Sequence, residues 1–319
     1  MALLFTRLLQ LAAWVGMLAL SSLGVEISGP KELAPVDGRG KLLPVEEKIG
    51  TVVPVLLQSV VQAAKNASKI VCEDKTYVAE FLACGEEIGR SAENRPIYVF
   101  RIGSESGQNR INVLLIGGLH TGTEKNTYNL ASKVLQYYYG KPERVPENTT
   151  LYIIPKINPD GIALGTHNNA RNVDLNRNWP TDDWRSDPYH PTYGNHKGAG
   201  GSMPLSESET FALYSFITKL PISAVGGSGQ LVIFTWHSQA GTVDGNEIGI
   251  ANESAKIYAQ AAGYKYIDRW SYYETTGTLL DAMRESGIAA VDVELSSRKT
   301  EFDKNIKGVN ASLNFIGNE

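Results

Sequence analysis

Five short apolar runs rich in branched side chains, Ile97–Ile102, Ile111–Ile116, Leu151–Ile154, Leu231–Thr235 and Ala289–Leu295, alternate with segments of helical period. Parallel strands need a crossover, usually a helix, so this alternation points to a mixed, mostly parallel central sheet flanked by helices. One α/β domain over residues 71–319 is expected. Ser206-Glu-Ser-Glu209 reads as a capping box opening one of the helices. Phe302, Ile306, Val309, Leu313 and Ile316, spaced 4, 3, 4 and 3, predict an amphipathic helix at the end of the chain. A chain of 319 residues that is 42% hydrophobic and 20% charged is neither a disordered polyelectrolyte nor a multi-pass membrane protein. With 30 basic against 34 acidic residues spread along it, there is no electrostatic case for a nucleic-acid partner.

The N-terminal segment reads differently. Arg7 precedes an apolar run from Leu8 to Leu20, and Ser22-Leu23-Gly24 offers the small residues of a cleavage site, so residues 1–24 read as a secretory signal peptide. Nothing later is long and apolar enough to span a bilayer. Residues 25–70 form an N-terminal extension, rich in Pro and Gly up to about residue 50 and helical over Val52–Ala64. Secretion, extracellular or periplasmic, implies oxidised thiols. The only two cysteines, Cys72 and Cys84, are then expected to pair, a short loop whose closure stabilises by roughly 2–3 kcal/mol.

In open α/β sheets ligands gather beyond the carboxyl ends of the strands. After Ile111–Ile116 comes Gly117-Gly-Leu-His120-Thr-Gly-Thr-Glu124, and after Leu231–Thr235 comes Trp236-His237-Ser238. Two histidines and one glutamate with an open fourth position are a catalytic zinc set, in which the vacant position holds water. A histidine after a strand is by itself more often a hydrogen-bonded structural residue, and a first-turn glutamate often answers the helix dipole. The third strand adds weight, because Ala289–Leu295 carries Glu294 near its carboxyl end, in phase with Asp292 and Ala290. In a buried strand that charge is ill placed. Beside a zinc-bound water it has work as general base and then general acid.

From about Gly85 to its end the sequence resembles the zinc carboxypeptidases, the carboxypeptidase A type. The resemblance rests on Asn94-Arg-Pro-Ile97, Gly117-Gly-Leu-His120, Asn158-Pro-Asp-Gly161, Asn172-Val-Asp-Leu-Asn-Arg-Asn-Trp179, Leu205-Ser-Glu-Ser-Glu-Thr210, His237-Ser238, Thr276-Gly277 and Glu294-Leu295. It implies one Zn2+ per chain on His120, Glu124 and His237, with Glu294 as the catalytic carboxylate. It further implies that Asp174 hydrogen-bonds the first zinc histidine and that Asn176 and Arg177 grip the substrate's free carboxylate, for which the guanidinium fork is suited. Tyr273, with Tyr272 as its competitor, matches the tyrosine that closes over the terminal residue.

The sequence departs from the family pattern in two places. The usual His-x-x-Glu is here one residue longer, a spacing found in a bacterial branch of the family, and a turn at Gly122 can absorb the extra residue. The second arginine of the family, which stabilises the oxyanion, aligns with His167, while the nearest arginine is Arg171; both stay candidates. Leu280 falls at the base of the pocket for the terminal side chain and predicts an apolar or aromatic residue there, whereas a slip of one position to Asp281 would predict Lys or Arg. His190 and His196 are expected in loops near the rim.

The expected function is that of a secreted, monomeric metallocarboxypeptidase hydrolysing the last bond of peptides with a free C-terminal carboxylate. The alternatives are a zinc amidohydrolase acting on cell-wall peptides and a catalytically weak, carboxypeptidase-like binding protein.

Overall fold

The computed structural model describes residues 85–103, 111–190, 194–220 and 230–318. The readings placed on residues 1–70 and on the Cys72–Cys84 pair lie outside these residues.

The ten strands of the described residues are β1 Glu86–Arg90, β2 Pro96–Ile102, β3 Ile111–Ile116, β4 Thr149–Ile154, β5 Tyr189–His190, β6 Gly194–Asn195, β7 Leu231–Ser238, β8 Thr242–Gly245, β9 Lys265–Tyr266 and β10 Ala289–Leu295. The α-helices are α1 Lys125–Tyr139, α2 Pro159–Leu164, α3 Ser208–Ile217, α4 Ala251–Ala262, α5 Leu279–Glu285 and α6 Phe302–Ile316. Eight strands form one sheet in the order β1-β2-β4-β3-β7-β10-β8-β9, and β5 pairs with β6 in a separate hairpin. At its centre β4, β3, β7 and β10 run parallel. The sheet is mixed, because β1, β2 and β8 join antiparallel.

All six residues of β3 are buried, as a central strand with helices on both faces requires. Val113 and Leu115 face α1, α4 and α6 through Leu130, Val134, Tyr258 and Leu313. Leu114 and Ile116 face the opposite way, toward Leu213 and Ile217 of α3 and Met283 of α5. Each such side chain stabilises by about 1.5–3 kcal/mol on burial, and the period of two distributes that burial over both faces.

Strands β3 and β10 and helix α6 have the expected bounds. Strand β7 runs past Thr235 to Ser238, because its partner β10 continues alongside and pairs Leu295 with Ser238. The capping box does not form. Helix α3 starts at Ser208 with Glu207 as its cap residue and no side-chain cap bond of its own. Asn178 caps it from a distance, its Oδ1 accepting from the Glu207 N–H at 3.1 Å and the Thr210 hydroxyl at 2.6 Å. Glu209 instead accepts from the Ala92 N–H at 3.3 Å.

Candidate metal centre and substrate pocket

The parallel strands bring the segments that follow them to one edge. In register, Ile116 of β3 lies beside Thr235 of β7, and His237 of β7 beside Glu294 of β10. On the face shared by Ile233 and Ala290 the apolar residues stop there, and polar ones take over: Thr235 and Asp292, then His237 and Glu294.

Three buried side chains meet at this edge. His120 Nδ1 lies 3.2 Å from His237 Nδ1 and 3.4 Å from Glu124 Oε1, and Glu124 Oε2 lies 3.8 Å from His237 Nδ1. Donor atoms around a tetrahedral zinc with bonds near 2.1 Å are spaced by about 3.4 Å, so the triangle has the size that such an ion needs. The His120, Glu124 and His237 group could therefore hold a metal ion. Glu124 closes a 3-10 turn, Gly122–Glu124, that leads into α1. Gly122 accommodates the longer spacing with φ of +58°, a conformation that favours glycine.

The charges point the same way. Burial alone would lower the His120 pKa, but the Asp174 and Glu124 carboxylates outweigh it and raise it to about 10. His237, buried beside that charge, is pushed down to about 3. Glu124, although buried, is held down to about 2 by the histidines. Two carboxylates thus trap positive charge among buried imidazoles, an arrangement that a divalent cation satisfies better than a proton. Glu294 Oε2 is buried and has no hydrogen-bond partner. Burial, with Glu124 and Asp292 nearby, holds the Glu294 carboxyl well above the usual carboxylate range.

Asp174 Oδ1 lies 2.8 Å from His120 Nε2 and also accepts from the Asn176 N–H at 2.8 Å. His167 stacks on His120 with ring centroids 4.0 Å apart, and its Nδ1 is 3.6 Å from Glu124 Oε1. Arg171 is directed elsewhere, its guanidinium 3.7 Å from Glu207 Oε2. Of the two alternatives, His167 is the one brought to the histidines.

A pocket of about 330 Å³ opens beside this group, and Asn176, Arg177, Tyr273, Leu280 and Glu294 line it. Arg177 is only 5% exposed and donates to the Asn176 carbonyl at 2.8 Å. Asn176 Oδ1 in turn accepts from the Leu279 N–H at 2.9 Å. Gly277 is required behind them, since a Cβ there would lie 2.6 Å from the Arg177 carbonyl and φ is +64°. Tyr273 is half-buried and hydrogen-bonds Arg177, whereas Tyr272 is 59% exposed.

Leu280 and Asp281 both line the pocket, which removes the need to choose between them by alignment. Two further acids, Asp244 and Asp292, line it as well. Their sequence signal is an aspartate inside an apolar strand pattern, Thr-Val-Asp-Gly in β8 and Ala-Val-Asp-Val in β10. His190 is not remote either, its ring centroid lying 6.1 Å from that of Tyr273. It stands in the short hairpin strand β5 rather than in a loop.

Fold and site together define an α/β protein with a buried His/Glu/His group that could hold a metal ion at the carboxyl edge of its sheet. The model of the zinc carboxypeptidase family matches residues 82–310, and the chain belongs to that family. Carboxypeptidase SOL1 of Arabidopsis thaliana is 28% identical over 160 residues, 47% of this chain and 30% of that protein. The match thus spans less than a third of that relative's own length. Among solved structures, carboxypeptidase A from Helicoverpa armigera superposes with a TM-score of 0.58 at 16% identity, covering 97% of this chain and 87% of that one. Murein-tripeptide amidase MpaA from Escherichia coli O157 does so with a TM-score of 0.54 at 22% identity, covering 73% of this chain and 91% of that one. These two likenesses concern the fold.

Proposed function

We propose that the chain is a secreted zinc carboxypeptidase that hydrolyses the last bond of peptides with a free C-terminal carboxylate. The observation that carries this reading is the buried triangle of His120 Nδ1, Glu124 and His237 Nδ1, with the unpartnered Glu294 Oε2 on the adjoining strand. Zinc, held by His120, Glu124 and His237, supplies Lewis acidity toward a carbonyl oxygen and toward water. Glu294 takes the proton of the attacking water at Oε2 and delivers it to the leaving amine, the general-base and general-acid roles of one carboxylate. Glu294, beside those ligands, would be favoured in its ionised form with a cation bound there.

Arg177, fixed by Asn176 and covered by Tyr273, receives the terminal carboxylate, which sets the register of the scissile bond. His167, stacked on His120 and open to solvent on one side, is the donor placed to meet the oxyanion. The signal-peptide reading of residues 1–24 supports an extracytoplasmic location.

The test is the release of the C-terminal amino acid from a peptide with a free carboxylate, compared with its C-terminal amide, with and without a chelator. Chelator-sensitive release from the free acid alone is expected. Equal cleavage of the amide would overturn the exopeptidase reading, and cleavage that resists metal removal would overturn the zinc reading.

A further inference from the structure

The segments that carry the site are tied together by a side chain with no part in the reaction above. Asn126, the second residue of α1, is only 2% exposed. Its Nδ2 donates to the Ser297 carbonyl at 2.9 Å and to the Lys299 carbonyl at 3.2 Å, in the turn that follows β10. Its Oδ1 accepts from the Ser238 hydroxyl at 3.2 Å, at the end of β7. Carbonyls can only accept, so the Ser297 and Lys299 oxygens fix which end of the carboxamide faces them.

Each of these partners adjoins a site residue. Asn126 itself follows Glu124 by two positions, and Ser238 follows His237 directly. The Ser238 N–H donates to Glu124 Oε2 at 3.1 Å. In the register of β7 with β10, Ser238 stands beside Leu295, the residue after Glu294. There the ladder between the two strands ends, and the Asn126 carboxamide holds the chain beyond it. Glu301 holds the same turn as well, accepting from the hydroxyls of Ser296, Ser297 and Tyr264.

Asparagine is a modest helix former, and burying its carboxamide is unfavourable unless the polar atoms are paired. The bonds of this side chain go to the ends of β7 and β10 and none of them to α1. Glu294 needs such support, because its Oε2 has no hydrogen-bond partner and so depends on the backbone that carries it. A proton-transferring group works only within hydrogen-bond reach of the proton, and a misplacement of about 1 Å can slow a reaction by about 10²-fold.

We propose that Asn126, seated by Ser238, is a positioning residue that clamps the turn after β10 to the start of α1 and so holds Glu294 at a fixed distance from Glu124 and His237. This inference rests on the carboxypeptidase reading and adds to it a residue that acts through Glu294 alone.

The experiment measures release of the C-terminal residue from a free-acid peptide by the zinc-loaded protein, by Asn126→Leu and by Ser238→Ala. Asn126→Leu keeps the volume and removes every bond of the clamp; it is expected to lower kcat about 10–100-fold with KM and zinc content unchanged. Ser238→Ala removes a single bond and should lower kcat less. Added to Glu294→Gln, either change should cause little further loss, because the group it positions is gone. A metal-free readout comes from trypsin, since Arg298 and Lys299 are exposed while the Lys299 carbonyl is held by Asn126. The metal-free Asn126→Leu protein should be cut after these residues roughly tenfold faster than the wild type. Unchanged kcat, or an equal loss on top of Glu294→Gln, overturns the inference and leaves the carboxypeptidase intact. A zinc content that falls with kcat also overturns it, by placing the effect on the ligands, and unchanged tryptic cutting overturns the clamp. If Asn126→Leu does not fold, Ser238→Ala decides by the same kinetic comparisons. A wild type that releases no terminal residue overturns the carboxypeptidase reading itself, and this inference with it.

Discussion

His120 Nε2 lies 2.8 Å from Asp174 Oδ1, which leaves the Nδ1 of the same ring facing Glu124 and His237. With a metal ion on Nδ1, the carboxylate would hold the ring proton on Nε2. Replacing it by Asp174→Ala is expected to weaken zinc binding about 10–100-fold. Competition with a chromogenic chelator measures this directly. An unchanged affinity would remove Asp174 from the centre.

Glu124 reaches the histidines only because the chain turns at Gly122. Glu124→Ala should lower the zinc content of the purified protein well below one per chain, with the helical signal of α1 retained by circular dichroism. Full zinc content in that variant would show that the two histidines suffice.

Glu294→Gln removes the proposed base and leaves its volume. It should keep zinc and lose turnover by about 10²–10⁴-fold, the range of a general base. Retained turnover would eliminate the role of Glu294 in proton transfer.

On the proposed function Arg177 would offer a planar fork to the terminal carboxylate, where a lysine would offer only a point charge. Arg177→Lys should raise KM more than it lowers kcat, because the contact is made equally with substrate and transition state. Steady-state kinetics separate the two parameters, and a pure kcat effect would place Arg177 at the reacting bond instead.

Away from the site, Asp160 at the start of α2 accepts from the Ser91 hydroxyl and an Arg95 guanidinium N–H at 2.6 Å each and from the Glu93 N–H at 2.9 Å. Burial works to raise its pKa, and these donors outweigh it and lower it. A carboxyl depressed in the folded state stabilises above its unfolded pKa, and the gain is lost as pH falls through the folded value. The melting temperature of the wild type should therefore fall below about pH 4. In Asp160→Asn it should start lower and fall less steeply, and parallel profiles would contradict the linkage.

The strands that lead to the candidate site were legible in the sequence, since the runs of Ile111–Ile116 and Ala289–Leu295 have the bounds read from their branched residues. So were the segments bearing His120, His237 and Glu294, which follow or end those strands. The start of α3 was not, because Ser206 and Glu209 have the local pattern of a cap while Asn178, distant in sequence, occupies the position. Tyr272 and Tyr273 are equally good candidates in sequence and differ only in which of them meets Arg177.

The alternation of strands and helices and the types of side chain at the strand ends can be read along the chain, because both follow from local period and residue chemistry. Long-range packing supplied the rest. It brought His167 to the histidines and sent Arg171 to Glu207. It also placed Asp244 opposite Asp292, through an antiparallel pairing of β8 with β10 that neither strand's residues encode alone. Charge pairing and cross-strand register depend on which segments the core brings together, and that is set by the burial of the whole sheet.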